Sequence, residues 1–154
     1  MPLAKNVNGS NLERNSFMRK KNIRQSSKKL EEYYCQFPNW YWKYGLHDAV
    51  ILSISELELA PDWKSKNPRR NCLEICLDSS NALYEQDICK ICLYNYKIKT
   101  PDFNFNDLEE PWWMGDALAQ LPNKHYLLEI SIETARENYT QLAVEFEIPE
   151  IQRN

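Results

Sequence analysis

The sequence predicts an α+β fold that is mostly β: an antiparallel sheet or sandwich with an N-terminal helix and a short helix near residues 112–120. Three observations support this prediction. Several short segments alternate apolar and polar residues, as half-buried strands do. Asparagine, aspartate and proline separate these segments, in a chain with only three glycines. The length of 154 residues suits one domain with one core.

The N-terminal part of the chain differs from the rest in charge. Residues 1–30 contain eight lysines and arginines against one acidic residue, whereas the remaining residues contain eleven basic and twenty-one acidic residues. Residues 1–25 show no sustained apolar period, so we expect a basic, mobile arm there. A single, mostly antiparallel β domain is then expected over residues 26–154.

A helix is predicted at the start of this domain. Ser26 and Ser27 are suited to cap a helix over residues 28–36, and Leu30 and Tyr33 would share one face of it. Pro38 would end the helix, because proline disfavours a helical conformation in the residue before it.

Three strands are predicted in the first half of the domain. Residues 49–59 alternate and then change phase, which indicates a bulge near Ser55 and Glu56 or a second strand. Residues 72–78 alternate without interruption. Residues 88–98 are apolar on both parities at first, which is typical of a central strand.

The second half is predicted to contain a helix and a hairpin. Pro111 suits the first turn of a short helix over residues 112–120, which Pro122 would end. Residues 126–133 and 142–148 both alternate, and the short connection between them predicts a β-hairpin.

The composition argues against several classes of protein. A glycine-rich phosphate loop needs clustered glycines, which this chain lacks. The five cysteines are an odd number, and no hydrophobic signal segment precedes them, so free thiols in a reducing cytoplasm are expected. Cys89 and Cys92 have zinc-knuckle spacing, but in an extended strand they face opposite ways. We therefore expect no metal, no cofactor and no membrane segment.

His47 and Asp48 are open to two interpretations. They are candidates for the acid/base pair of a small enzyme. Neighbouring side chains in a strand point to opposite faces, however, so the two cannot easily form one dyad if both are extended. The other interpretation is that they bond to backbone groups and position the start of the first strand. We favour the second, and the chain is expected not to be an enzyme.

Acidic residues occupy the outward parity of the predicted strands. If these strands are neighbours, one face of the sheet is negatively charged and can steer a cationic protein partner. Trp112 or Trp113 is the expected aromatic anchor. The acidic positions are Glu74, Asp78, Glu129, Glu133, Glu145 and Glu147, of which the last four are the predicted partner-binding residues.

The basic arm supports an alternative of a different class. Its lysines and arginines could contact the phosphates of a nucleic acid, which would make the chain a nucleic-acid-binding or regulatory module. The acidic body would repel phosphate, so a protein partner is the preferred prediction.

A resemblance points the same way. The motif Leu46-His47-Asp48-Ala49, the strand "LEICLD" at 73–78 and the segment "PWWMGDAL" at 111–118 resemble small bacterial families of unknown function. Some of these are grouped with the immunity proteins of polymorphic toxin systems. The resemblance implies a non-catalytic, β-rich binding protein. An immunity-like role, in which the chain covers a basic surface of a toxin or nuclease, would suit the acidic face of the predicted sheet. It supplies no catalytic residues.

Overall fold

The computed structural model describes residues 37–60, 62–135 and 138–154. The chain divides into two units, with the boundary between Tyr41 and Trp42. In the described part of the first unit, the N–H of Tyr41 donates to the carbonyl of Pro38 at 3.1 Å, and the Phe37 and Tyr41 rings lie 5.0 Å apart. The predicted arm over residues 1–25 and the predicted helix over residues 28–36 lie outside the described residues.

The second unit is built on one antiparallel sheet of eight strands. They are β1 (Ala49–Glu58), β2 (Asn71–Asp78), β3 (Ile88–Tyr94), β4 (Lys97–Ile98), β5 (Trp112–Gln120), β6 (Tyr126–Glu133), β7 (Tyr139–Phe146) and β8 (Ile148–Arg153). Their order across the sheet is β4-β7-β6-β5-β1-β2-β3-β8. Two short 3₁₀ turns, Lys43–Leu46 and Phe105–Asp107, are the helical elements of the described residues.

The outermost strands of this order, β4 and β8, are continuations of β3 and β7 beyond a bend. β3 continues into β4, and β7 continues into β8, after one or two intervening residues. Tyr94 is opposite Ile148, and Lys97 is opposite Glu145, so the pairing keeps one register on both sides of the bends. At the bend itself the N–H of Glu147 donates to the carbonyl of Tyr94 at 3.0 Å. The sheet therefore closes on itself and encloses its inward face.

Asn95 makes the bend between β3 and β4. Its φ is 56°, in the left-handed region that asparagine tolerates better than most residues. Its side chain is buried; it accepts a hydrogen bond from the N–H of Arg70 at 2.7 Å and donates one to the carbonyl of Pro68 at 3.1 Å. The bend is thus attached to the loop between β1 and β2, and the buried amide is satisfied on both its polar atoms.

Alternate residues of the strands fill the enclosed space. Leu128, Ile130 and Ile132 on β6 are fully buried, as the clean alternation of that segment predicts. β2 contributes Leu73 and Ile75 in the same way. The largest fully buried side chains are Trp113, Phe146, Leu46, Leu73, Ile75, Ile88, Ile91, Leu93, Leu128, Ile130, Ile132 and Leu142.

A bulge in β1 explains the change of phase in its sequence. The register with β2 shifts between Ile51 and Ser53, which leaves Leu52 as the extra residue with 59% of its surface exposed. Ile51 and Ile54 consequently face the same side although they are three residues apart. The predicted position of the bulge, near Ser55, was wrong, because the side chain that breaks the alternation lies earlier in the strand.

The predicted helix over residues 112–120 is wrong. This segment is β5, and it pairs with β6 along its whole length. A second register shift lies between Trp113 and Gly115, so the two buried residues of β5, Trp113 and Leu118, are five positions apart. That spacing hides the two-residue period from which a strand is recognised.

The α+β class is therefore incorrect for the part of the chain that the structure describes. Its longest helical element is a four-residue 3₁₀ turn, and strands provide the rest of the regular structure. The mostly antiparallel sheet was predicted. The strand over residues 126–133 is confirmed at its predicted bounds, and the strand predicted over residues 72–78 begins one residue earlier, at Asn71. No helix among these residues is long and apolar enough to cross a membrane.

Gly45 allows the first 3₁₀ turn to pack against the loop between β2 and β3. Its carbonyl accepts the N–H of Tyr84 at 3.1 Å and the N–H of Glu85 at 3.0 Å. A Cβ added at Gly45 would overlap the side chain of Glu85 and come within 3.4 Å of its backbone nitrogen. The close approach of the Glu85 side chain therefore favours glycine here.

The variant Gly45→Ala should lower the free energy of unfolding by about 1–3 kcal/mol, because the added methyl group overpacks this contact. Chemical denaturation of the full chain measures the change. Gly115→Ala is the matched control, since a Cβ there would meet no atom within 4 Å. Equal stability of the two variants would contradict the packing argument.

Candidate partner-binding surface

The outward side of β6 carries two of the predicted acidic residues. Leu128, Ile130 and Ile132 point inward, so Glu129 and Glu133 project from the opposite side of the strand. β6 pairs with β5 on one side and with β7 on the other, and this pairing holds the two glutamates at fixed positions.

The register identifies the neighbours of these carboxylates. Glu129 lies between Ala117 of β5 and Ala143 of β7, and Glu133 lies between Trp112 and Tyr139. Small or polar side chains fill the positions between them. We call this surface the β6 face; its residues are Trp112, Gly115, Ala117, Glu129, Ser131, Glu133, Tyr139, Gln141 and Ala143.

The two carboxylates of the β6 face have no cationic partner among the described residues. The ion pairs that join described side chains use carboxylates other than Glu129 and Glu133. The alanines beside Glu129 are too short to shield it, and Tyr139 beside Glu133 has 70% of its surface exposed. The β6 face therefore presents negative charge next to an exposed aromatic ring.

The two adjacent tryptophans have different surroundings. Trp112 is half-buried on the β6 face, whereas Trp113 points inward and is fully buried. Only Trp112 of this pair is placed to contact a partner. The indole N–H of Trp113 donates to Oδ2 of Asp116 at 2.7 Å, and the indole N–H of Trp42 donates to the same oxygen at 2.8 Å. Asp116 is not among the predicted functional residues, although its position three residues after a tryptophan was an available signal.

Glu145 belongs to a neutralised cluster rather than to an open acidic face. Its side chain lies 2.7 Å from Nδ1 of His125 and 3.4 Å from Nζ of Lys99, and Asn123 donates to it at 3.3 Å. Only 12% of the side chain is exposed. The hydrogen bond from His125 is the main cause of a lowered pKa at Glu145.

Glu147 and Glu74 are paired as well. Glu147 lies 3.2 Å from the guanidinium of Arg70 at the bend between β7 and β8, and Glu74 lies 3.3 Å from Nζ of Lys90 on the neighbouring strand. Asp78 forms no ion pair with a described residue, but it lies at the end of β2, three strands from β6, and accepts hydrogen bonds from Ser80. The predicted continuous acidic face is thus reduced to Glu129 and Glu133. Sequence parity placed the other carboxylates outward, but it could not show the basic residues that reach them from elsewhere in the chain.

His47 and Asp48 connect the first 3₁₀ turn to β5. Nδ1 of His47 lies 2.6 Å from the carbonyl of Met114, and Nε2 lies 3.7 Å from Oδ1 of Asp48. Asp48 has a φ of 75°, and its N–H donates to the carbonyl of Trp113 at 2.9 Å. These contacts tie the start of β1 to the bulge of β5. Nδ1 of His47 thus bonds to a backbone carbonyl, and the Asp48 carboxylate lies beyond hydrogen-bond distance of Nε2. Both features argue against an acid/base pair of these two residues.

The described cysteines are free thiols. Burial raises the pKa of Cys72 to about 12 and also raises the pKa of Cys92, so both remain protonated near neutral pH. Among the described residues, no group of three or more histidine, cysteine, aspartate or glutamate side chains could hold a metal ion.

Glu145 should make the protein sensitive to acid. A carboxyl group whose pKa is lowered by folding adds stability above its ordinary value of 4.5, and this stability is lost as the pH falls through the folded-state value. Glu145→Gln should cost about 1 kcal/mol near neutral pH and make the loss of stability in acid shallower. Thermal unfolding across an acidic pH series measures both effects. Glu129→Gln removes the same charge without an ion pair, and an equal effect of this control would refute the assignment.

No family model, no curated protein and no solved structure matches the chain. The resemblance to immunity-protein families, which rests on residues 46–49, 73–78 and 111–118, therefore stays a prediction. The function of the chain has to be inferred from its own surface.

Proposed function

We propose that this chain is a non-enzymatic binding protein whose β6 face receives a cationic protein partner. The observation that carries the proposal is a pair of carboxylates, Glu129 and Glu133, that form no ion pair with a described residue. The predicted acidic residues Glu74, Glu145 and Glu147 are paired by contrast. Carboxylates at the rim of an interface attract a basic partner and accelerate its encounter.

Contact at short range would depend on the aromatic side chains. Trp112 and Tyr139 flank Glu133 on opposite sides across the sheet. Tyrosine and tryptophan are the residues that most often anchor protein interfaces, because they bury a large area with few rotatable bonds. The alanines and Gly115 between them let a partner approach the strands closely.

An immunity-like role is the specific form of this proposal. In that role the β6 face would cover a basic surface of a toxin, such as the surface with which a nuclease holds its substrate. This form rests on the resemblance at residues 46–49 and 111–118, whereas the binding function rests on the β6 face alone.

The double variant Glu129→Gln/Glu133→Gln tests the proposal. We expect binding to a panel of small basic proteins, including basic toxins and nucleases, that weakens when the salt concentration rises from about 50 to about 500 mM. The double variant should bind the responding partner about three- to tenfold more weakly at low salt and should show a smaller salt dependence. Isothermal titration calorimetry measures both quantities.

Asp62→Asn/Asp102→Asn is the matched control. Both residues are exposed, and the change removes the same net charge from the loops that follow β1 and β4, while the side chain at position 62 keeps the oxygen that accepts the N–H of Lys64. An equal loss of affinity in the control would show that net charge, and not the β6 face, attracts the partner. Absence of salt-sensitive binding throughout the panel would refute the proposal.

A further inference from the structure

Among the described strands, the edge of β1 that faces β5 is unpaired along most of its length. β1 pairs with β2 from Val50 to Glu58, but it pairs with β5 only at Ala49 and Val50. The N–H of Ile51 then donates to the carbonyl of Pro111 at 3.0 Å. Beyond that point the two strands diverge.

The pairing with β2 determines which backbone groups face this open edge. The N–H of Leu59 donates to the carbonyl of Arg70, and paired residues of an antiparallel ladder alternate between bonded and non-bonded positions. The N–H and C=O groups of Ile54, Glu56 and Glu58 therefore point away from β2. None of them forms a hydrogen bond to another described residue. They form a row of unsatisfied groups on a strand whose end is exposed to solvent.

A cavity lies beside this edge on the inward face of the sheet. Its volume is about 140 Å³, and Ile54 and Glu56 line it together with Leu73, Ile98 and residues 103–106. Ile54 and Glu56 are two of the residues whose backbone groups are unpaired. An added strand would consequently direct alternate side chains toward the mouth of this cavity.

The edge strand itself carries negative charge at Glu56 and Glu58. Glu110 precedes Pro111, whose carbonyl accepts the N–H of Ile51. None of these three carboxylates forms an ion pair with a described lysine or arginine. Glu56 accepts a hydrogen bond from the hydroxyl of Tyr96 at 2.6 Å, which fixes its carboxylate beside the cavity. The complement to this surface is an extended chain with basic side chains.

We propose that the β1 edge binds an extended, basic peptide segment of a partner protein. The segment adds a strand to the sheet through the backbone of Ile54, Glu56 and Glu58. A lysine or arginine of the segment lays its aliphatic part against Ile54 and places its charge beside Glu56. This site is separate from the β6 face, so a negative result for peptide binding would leave the function proposed above unaffected.

A synthetic peptide of about nine residues that alternates lysine and isoleucine, with blocked ends and a fluorescent label, is the probe. Fluorescence anisotropy with the full chain should show binding. Hydrogen exchange should show that the amides of Ile54, Glu56 and Glu58 are exposed in the free chain and protected in the complex. A peptide methylated on alternate backbone nitrogens keeps the charge but loses the strand hydrogen bonds, and it should bind at least about tenfold more weakly.

Variants of the protein separate the backbone contribution from the charge. Glu56→Pro removes an N–H that β2 does not use, so the sheet should persist while peptide binding falls about tenfold. Glu56→Gln should weaken binding less, because it keeps the N–H. Glu58→Pro at the end of β1 gives the same test if the first proline variant does not fold. Glu129→Gln/Glu133→Gln should leave peptide binding unchanged.

Three outcomes would overturn the proposal. Equal affinity of the methylated peptide would show attraction by charge without an added strand. Unchanged exchange of the three edge amides in the complex would place the peptide elsewhere. Protection of these amides before peptide is added, together with a dimeric mass in solution, would assign the edge to a second copy of the chain.

Discussion

The register shared by the two bent strands is the constraint on which the rest of this sheet depends. Tyr94 opposite Ile148 and Lys97 opposite Glu145 belong to one continuous pairing, although each strand bends between these positions. If either bend lost or gained a residue, one of the two pairings would place its side chains on the wrong face. Asn95 protects the register at the first bend because its backbone conformation and its two side-chain hydrogen bonds fix the turn.

The seam between β1 and β5 is paired much less completely. β1 and β5 share only two residue pairs, and the unpaired groups of Ile54, Glu56 and Glu58 follow directly. The same divergence leaves room for the cavity beside Glu56. The β6 face lies on the other side of β5, where pairing is complete and the outward side chains are the available contacts. One surface therefore offers backbone groups to a partner and the other offers side chains.

The sequence could predict those parts of the fold in which one period runs without interruption. β2 and β6 alternate cleanly, and the predictions match their bounds to within one residue. Pro111 and Pro122 predict a helix over β5, and the bulge at Met114 hides the strand period because it separates the inward residues by an odd number of positions. The phase change in β1 was recognised but placed too late, since Leu52 looks like an inward residue in the sequence and is an exposed bulge residue in the structure.

The candidate site was also only partly predictable from the sequence. Parity alone placed Glu129 and Glu133 on the outward side, and their neighbours are small or aromatic. It could not choose between Trp112 and Trp113, because the segment that contains them is predicted as a helix. Parity could not show that residues distant in sequence, such as Lys99 and Arg70, neutralise Glu145 and Glu147. Long-range pairing decides which charges remain available. The sequence also did not show that the ring of Tyr139 beside Glu133 is exposed.

The contrasting surroundings of Trp112 and Trp113 have an optical consequence. Trp113 is sealed in the core and packs edge-on against Trp42 with ring centroids 5.6 Å apart, so its near-ultraviolet signal follows the integrity of the interior. Trp112 lies at the boundary with water beside a carboxylate. Adjacent indoles in one strand thus act as two built-in probes, one of folding and one of whatever covers the outer surface.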